Sequence, residues 1–139
     1  MQLVVDTNVF IGACLGSRPA TGVLEACITG RAEPVMGTAL LREYEAVLGR
    51  VDLFRTSGLQ ASEREELLDI FLAHCRWVRI FYGWRPNLPD EGDNHLVELA
   101  VAAGNAAIVT RNLRDLQQMD LRFPGLRILS PESFLASLS

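Results

Sequence analysis

The chain has 139 residues, 49% of them hydrophobic, and carries 13 basic and 17 acidic side chains for a net charge of −4. That length fits one domain, residues 1–139, able to bury roughly 68% of its unfolded surface, so neither disorder nor a metal- or disulfide-dependent fold is indicated. The acidic balance argues against a general basic coat for nucleic acid but leaves room for a local basic rim.

Secondary bulk signals agree. No apolar run reaches the ~18 residues of a membrane span. The first strand begins at residue 2, leaving no room for a signal peptide, so a soluble, cytoplasmic protein with no membrane partner is expected. Cys14, Cys27 and Cys75 are widely spaced and form no CxxC pair, which reads as structural thiols in a reducing compartment. Every basic residue is arginine. Arginine suits bidentate phosphate contact, although a GC-rich genome produces the same bias.

In chain order, residues 3–5 form a short apolar strand that ends at Asp6. A helix over 20–29 stops at Gly30. Residues 34–36 are a second strand. Thr38 can cap a helix whose stripe is Leu40, Leu41, Tyr44, Val47 and Leu48. Residues 51–59 carry no clear signal. Ser62-Glu63-Arg64-Glu65 reads as a capping box before Leu67, Leu68, Phe71 and Leu72. Residues 77–81, 107–109 and 126–129 are the remaining strands. A helix spans 93–103 with Gly104 beyond it, and Ser130-Pro131 opens a last one. The strands are short apolar runs rather than alternations, as in a sheet covered on both faces. Alternating strands and helices predict an α/β fold: a three-layer α/β/α arrangement around a mostly parallel sheet of about five strands.

Several acids fall at element ends. Asp6 closes strand one, where a carboxylate projects into the crevice of a parallel sheet. The competing reading is a plain helix cap. Asp93 shares a helical face with Leu96, Val97, Ala100 and Val101, which turns it inward at the first turn. Alternatively, Asp90 caps that helix and Asp93 only favours its positive end. Thr110, Asn112 and Asp115 follow strand 107–109, where Thr110 could bond a carboxylate from the neighbouring strand. An ordinary turn, with Asn112 as cap and Asp115 at the third helical position, fits equally well. Glu43 lies about 100° from the centre of its helix's apolar stripe, at the boundary of core and solvent, and Glu45 sits on the opposite flank. Periodicity does not choose between them. Gathered carboxylates repel and raise one another's pKa, so such a cluster implies a divalent cation. Oxygen donors select a hard ion, Mg²⁺ or Mn²⁺, suited to phosphoryl chemistry.

Four blocks of the chain resemble the PIN domain: VVDTNVFI at 4–11, LLREYEAVLGR at 40–50, PDEGDNHLVELAVAAGNAAIVTRNLRDL at 89–116 and ILSPESFL at 128–135. The likeness is to VapC-type toxins of toxin–antitoxin pairs, and it spans essentially the whole chain. It implies a PIN-like fold and Mg²⁺- or Mn²⁺-dependent hydrolysis of RNA phosphodiester bonds. The catalytic set becomes Asp6, Glu43, Asp93 and Asp115, and Glu43 is chosen over Glu45 because the family places its acid before the aromatic. Asp6, Asp93 and Asp115 would hold metal, supported by Thr7, Asn8, Asp90, Thr110 and Asn112. Asn112 stands where aspartate is frequent, which puts a stable second metal in doubt. The resemblance also implies an RNA substrate, a cognate antitoxin and a homodimer.

Arg18, Arg111 and Arg114 fall near the same sheet edge and are candidate phosphate contacts. His95 is read as solvent-exposed and His74 as structural. Tyr82 and Trp84, beside Arg85, are read as packing residues. Two rival functions fit parts of this pattern. A catalytically inert PIN-like module would bind RNA or protein without needing metal. An aspartyl-phosphate-type phosphatase needs a second aspartate two residues after Asp6, where this chain has Asn8, and a lysine that it lacks.

Overall fold

In the computed structural model, which describes residues 1–79, 94–116 and 125–138, the chain opens with strand β1 (Gln2–Val5). Helices α1 (Thr7–Cys14) and α2 (Arg18–Ile28) lead to β2 (Glu33–Met36). Helix α3 (Thr38–Leu48), a 3₁₀ turn (Val51–Phe54) and α4 (Ala61–Ala73) lead to β3 (Arg76–Trp77). Then come α5 (Asn94–Ala102), β4 (Ala107–Val109), α6 (Leu113–Leu116), β5 (Ile128–Leu129) and α7 (Pro131–Leu138). For Asn94 and Asp115 the description covers the backbone only.

The sheet runs β3-β2-β1-β4-β5, and every pairing among the described strands is parallel. Parallel neighbours need crossovers, and crossovers are right-handed. The links from β1 to β2 and from β2 to β3 therefore put their helices on one face. The return to β4 puts α5 on the other, where it packs across β2, β1 and β4. The three-layer α/β/α expectation holds.

Burial on both faces explains the apolar strands. Leu3, Val4, Val5, Ile108 and Val109 are all 0–1% exposed. Each such side chain stabilises the fold by roughly 1.5–3 kcal/mol relative to exposure. Phe10, Tyr44 and Phe71 form an aromatic cluster that joins α1, α3 and α4, with centroids 5.4–6.2 Å apart.

Several boundaries differ from the sequence reading. The third strand is Arg76–Trp77 and does not extend through Val78 and Arg79, while residues 80 and 81 lie outside the described residues. The fifth is only Ile128–Leu129. Both are edge strands, and an apolar run does not say where a one-sided ladder stops. Helix α4 is capped two residues before Ser62: the Glu63 carboxylate accepts the Gln60 backbone N–H at 2.9 Å, and Gln60 is the cap. Thr38 is the first helical residue, with Gly37 before it. Gly30 and Gly104 close α2 and α5 with φ of +84° and +88°, as helix stops in the left-handed region require.

Candidate active site

Strand order reverses between β1 and β4, because β1 connects outward on one side and β4 on the other. Ligands of open α/β sheets bind in the crevice at such a switch point, beyond the carboxyl ends of the strands. Asp6 follows β1 there and Thr110 follows β4. The Thr110 hydroxyl donates to Asp6 Oδ2 at 2.8 Å. Asn8 Nδ2 donates to the same oxygen at 3.2 Å and to Thr110 Oγ1 at 3.3 Å. The Asn112 amide donates to Thr110 Oγ1 at 2.9 Å, and the Arg111 amide donates to Asn8 Oδ1 at 3.1 Å. The two strand ends are thus laced together around one carboxylate oxygen.

Among the described residues, the side-chain hydrogen bond to the other oxygen, Oδ1, comes from the Thr7 hydroxyl at 3.5 Å, the outer limit of such a bond. Asp6 occupies the cap position of α1, yet its side chain makes no cap bond, so capping does not account for it. It is 5% exposed. Burial raises its pKa above the ordinary 3.8, partly offset by the Thr110 hydroxyl. The nearby Glu43 charge raises it further, and the Thr7 backbone and His95 lower it.

Glu43 is half-buried on α3, near enough to act electrostatically on Asp6. Its Oε2 lies 2.7 Å from His95 Nε2, a contact that is an ion pair when His95 is protonated. His95 is therefore not the exposed residue expected: its side chain is 19% exposed and turned onto Glu43. Glu45 is exposed on the other flank and lines a groove of about 350 Å³ with Leu48, Gly49, Glu65, Leu68 and Asp69. Of the two boundary acids, only Glu43 approaches Asp6.

Asp90 and Asp93 lie outside the described residues, as do Tyr82, Trp84 and Arg85. Asn112 precedes α6 and Asp115 takes its third position, so both stand beyond β4. Among the described residues, no three of His, Cys, Asp and Glu come together as a metal cage. The described part of the site nevertheless fits a hard cation: a desolvated carboxylate with one oxygen nearly free, a second carboxylate close by, and no thiol donor.

Arg18 and Arg114 are exposed. Arg111, also exposed, is held by Glu132 at the start of α7, with Nη1 2.7 Å from both carboxylate oxygens. That contact lowers the Glu132 pKa. His74 bonds the Ile70 carbonyl at the end of α4, a structural role. The cysteines are buried or half-buried, and burial pushes the Cys27 and Cys75 thiols up to about 12, which leaves them inert at neutral pH.

The sequence does not flag Glu98, a residue of α5 that is 8% exposed and whose Oε1 has no hydrogen-bond partner among the described residues. The available signal was a charge inside the apolar run Leu96, Val97, Leu99, Ala100.

Fold and site together define an α/β protein with a carboxylate centre at the switch point of a parallel sheet. The PIN domain family matches residues 2–114, and the chain belongs to that family, whose members are generally nucleases. Among solved structures, the crystal structure of VapBC2 from Rickettsia felis bound to a DNA fragment from their promoter is similar. The match has 17% identity and a TM-score of 0.58, and it covers 94% of this chain and 98% of that one. No curated protein matches the chain.

Proposed function

We propose that this protein is a metal-dependent endoribonuclease and the toxin component of a type II toxin–antitoxin pair. The observation that carries the reading is the buried Asp6 carboxylate, gripped on Oδ2 by Thr110 and Asn8 and, among the described residues, met on Oδ1 by the long Thr7 contact, with Glu43 beside it. Burying a carboxylate costs stability, and a cation-binding role accounts for the cost.

Asp6, Asp93 and Asp115 would hold Mg²⁺ or Mn²⁺, and Glu43 would complete the shell or orient water. A bound divalent ion supplies charge neutralisation at phosphate and a lowered pKa for water. The chain's own residues preorganise the centre. Thr110 and Asn8 fix the rotamer of Asp6, and the amides of Arg111 and Asn112 fix Asn8 and Thr110 in turn. Arg18 and Arg114, both exposed, would meet phosphates, and Arg111 would do so by exchanging Glu132 for the backbone of RNA. The resemblance to a VapBC structure supports an antitoxin partner, and the reading includes a homodimer in the cytoplasm.

The test is cleavage of a pool of structured RNAs with Mg²⁺ or Mn²⁺. Asp6→Asn is expected to lose at least about 10²-fold in rate, as removal of a principal electrostatic group does. EDTA is expected to abolish cutting. Cutting that survives both Asp6→Asn and EDTA would refute the reading. No cutting and no Mn²⁺ binding would favour the inert PIN-like module instead.

A further inference from the structure

We infer that His95 is a positioning residue for Glu43, holding its carboxylate at the site beside Asp6. The inference rests on the reading above that Glu43 acts there. Glu43 stands at the rim of the crevice with 38% of its side chain exposed. Like charge on Asp6 repels it, and a glutamate side chain has several rotatable bonds with which to swing into solvent. His95 opposes that motion through the 2.7 Å contact between Nε2 and Oε2.

The histidine is well placed for such a task. It sits in the first turn of α5, which is anchored by Leu96, Val97, Leu99 and Ala100, all 0–1% exposed. Glu43 sits on α3, which packs against α5. The contact therefore ties a mobile acid to a rigid element, the arrangement that keeps a functional group in a productive geometry. Supporting groups of this kind typically change metal affinity or activity by about 10–100-fold when removed.

The experiment compares the full-length chain with His95→Ala, His95→Gln, Glu43→Gln and the double variant His95→Ala/Glu43→Gln. Readouts are kcat and KM on RNA, Mn²⁺ affinity by calorimetry, and the thermal midpoint. His95→Ala is expected to lower kcat or Mn²⁺ affinity by about 10–100-fold with KM changed little. His95→Gln, which restores a donor of similar reach, is expected to recover most of the loss. The two substitutions are expected not to multiply in the double variant. A kcat and Mn²⁺ affinity left unchanged by His95→Ala, or fully multiplicative losses, would overturn the assignment. If the wild type neither cuts RNA nor binds Mn²⁺, the proposed activity fails, and the same cycle on thermal midpoints still decides the pairing. Additive shifts would then refute it, and non-additive shifts would uphold it.

Discussion

Asp6 carries the central tension of the molecule, because its burial raises the carboxyl pKa in the folded chain. The sign of the linkage follows. The native carboxyl binds its proton more tightly than the unfolded one, so stability falls as pH rises from 3.8 through the raised native value. At pH 7 without metal the ionised Asp6 is thus a net cost. Asparagine keeps an oxygen to accept from Thr110 and removes the charge. Asp6→Asn should therefore be more stable than the wild type at pH 7 in EDTA, with the gap closing as pH falls toward 3.8. Saturating Mn²⁺ should reverse the order, since binding at 100 times Kd stabilises by about 2.7 kcal/mol. Thermal melts across that pH range, with and without Mn²⁺, measure both effects. A variant less stable at every pH without metal would show that Asp6 is structural.

At the scale of elements, Tyr44 pins α3 onto β1. Its hydroxyl donates to the Val5 carbonyl at 2.7 Å, one residue before Asp6, while its fully buried ring meets Phe10 edge-on at 5.4 Å. Tyr44→Phe keeps the ring packing and removes the hydroxyl. The expected cost is about 1–2 kcal/mol, and calorimetric melting should show a midpoint lower by about 3–6 °C. An unchanged midpoint would mean that the strand end holds itself. The interior strands β1, β2 and β4 were legible because burial on both faces writes itself as apolar runs. Edge strands β3 and β5 differ from that pattern because the same runs continue past the last paired residue of β3 and begin before the first of β5. The start of α4 was misplaced because 60-QASERE-65 offers more than one capping pair, and only packing selects Gln60 with Glu63. The bond from Thr110 to Asp6 was foreseeable, since adjacent parallel strands end side by side. The contact of His95 with Glu43 and the grip of Glu132 on Arg111 were not. Each joins elements whose relative rotation no local pattern records.

At the scale of the whole molecule, the proposed activity requires a chain of net charge −4 to meet a polyanion at an acidic centre. Overall attraction is therefore unavailable, and on that proposal binding would rest on a few local arginines and the cation. Each phosphate neutralised on a single strand contributes about 0.7 to the slope of log K against log salt. Arg18, Arg111 and Arg114 together allow a slope of no more than about −2 by that rule. Arg111 is already engaged by Glu132, so its share depends on exchanging one anion for another. Titration of labelled RNA with the Asp6→Asn protein at 50–200 mM salt would measure the slope without cleavage. Neutralising Arg18 and Arg114 together should flatten it by about 1.4. Glu132→Gln, which releases Arg111, should instead tighten binding and steepen the slope. If neither change moves the slope, the phosphates meet another surface of the molecule, and the sheet-edge arginines have no part in holding RNA.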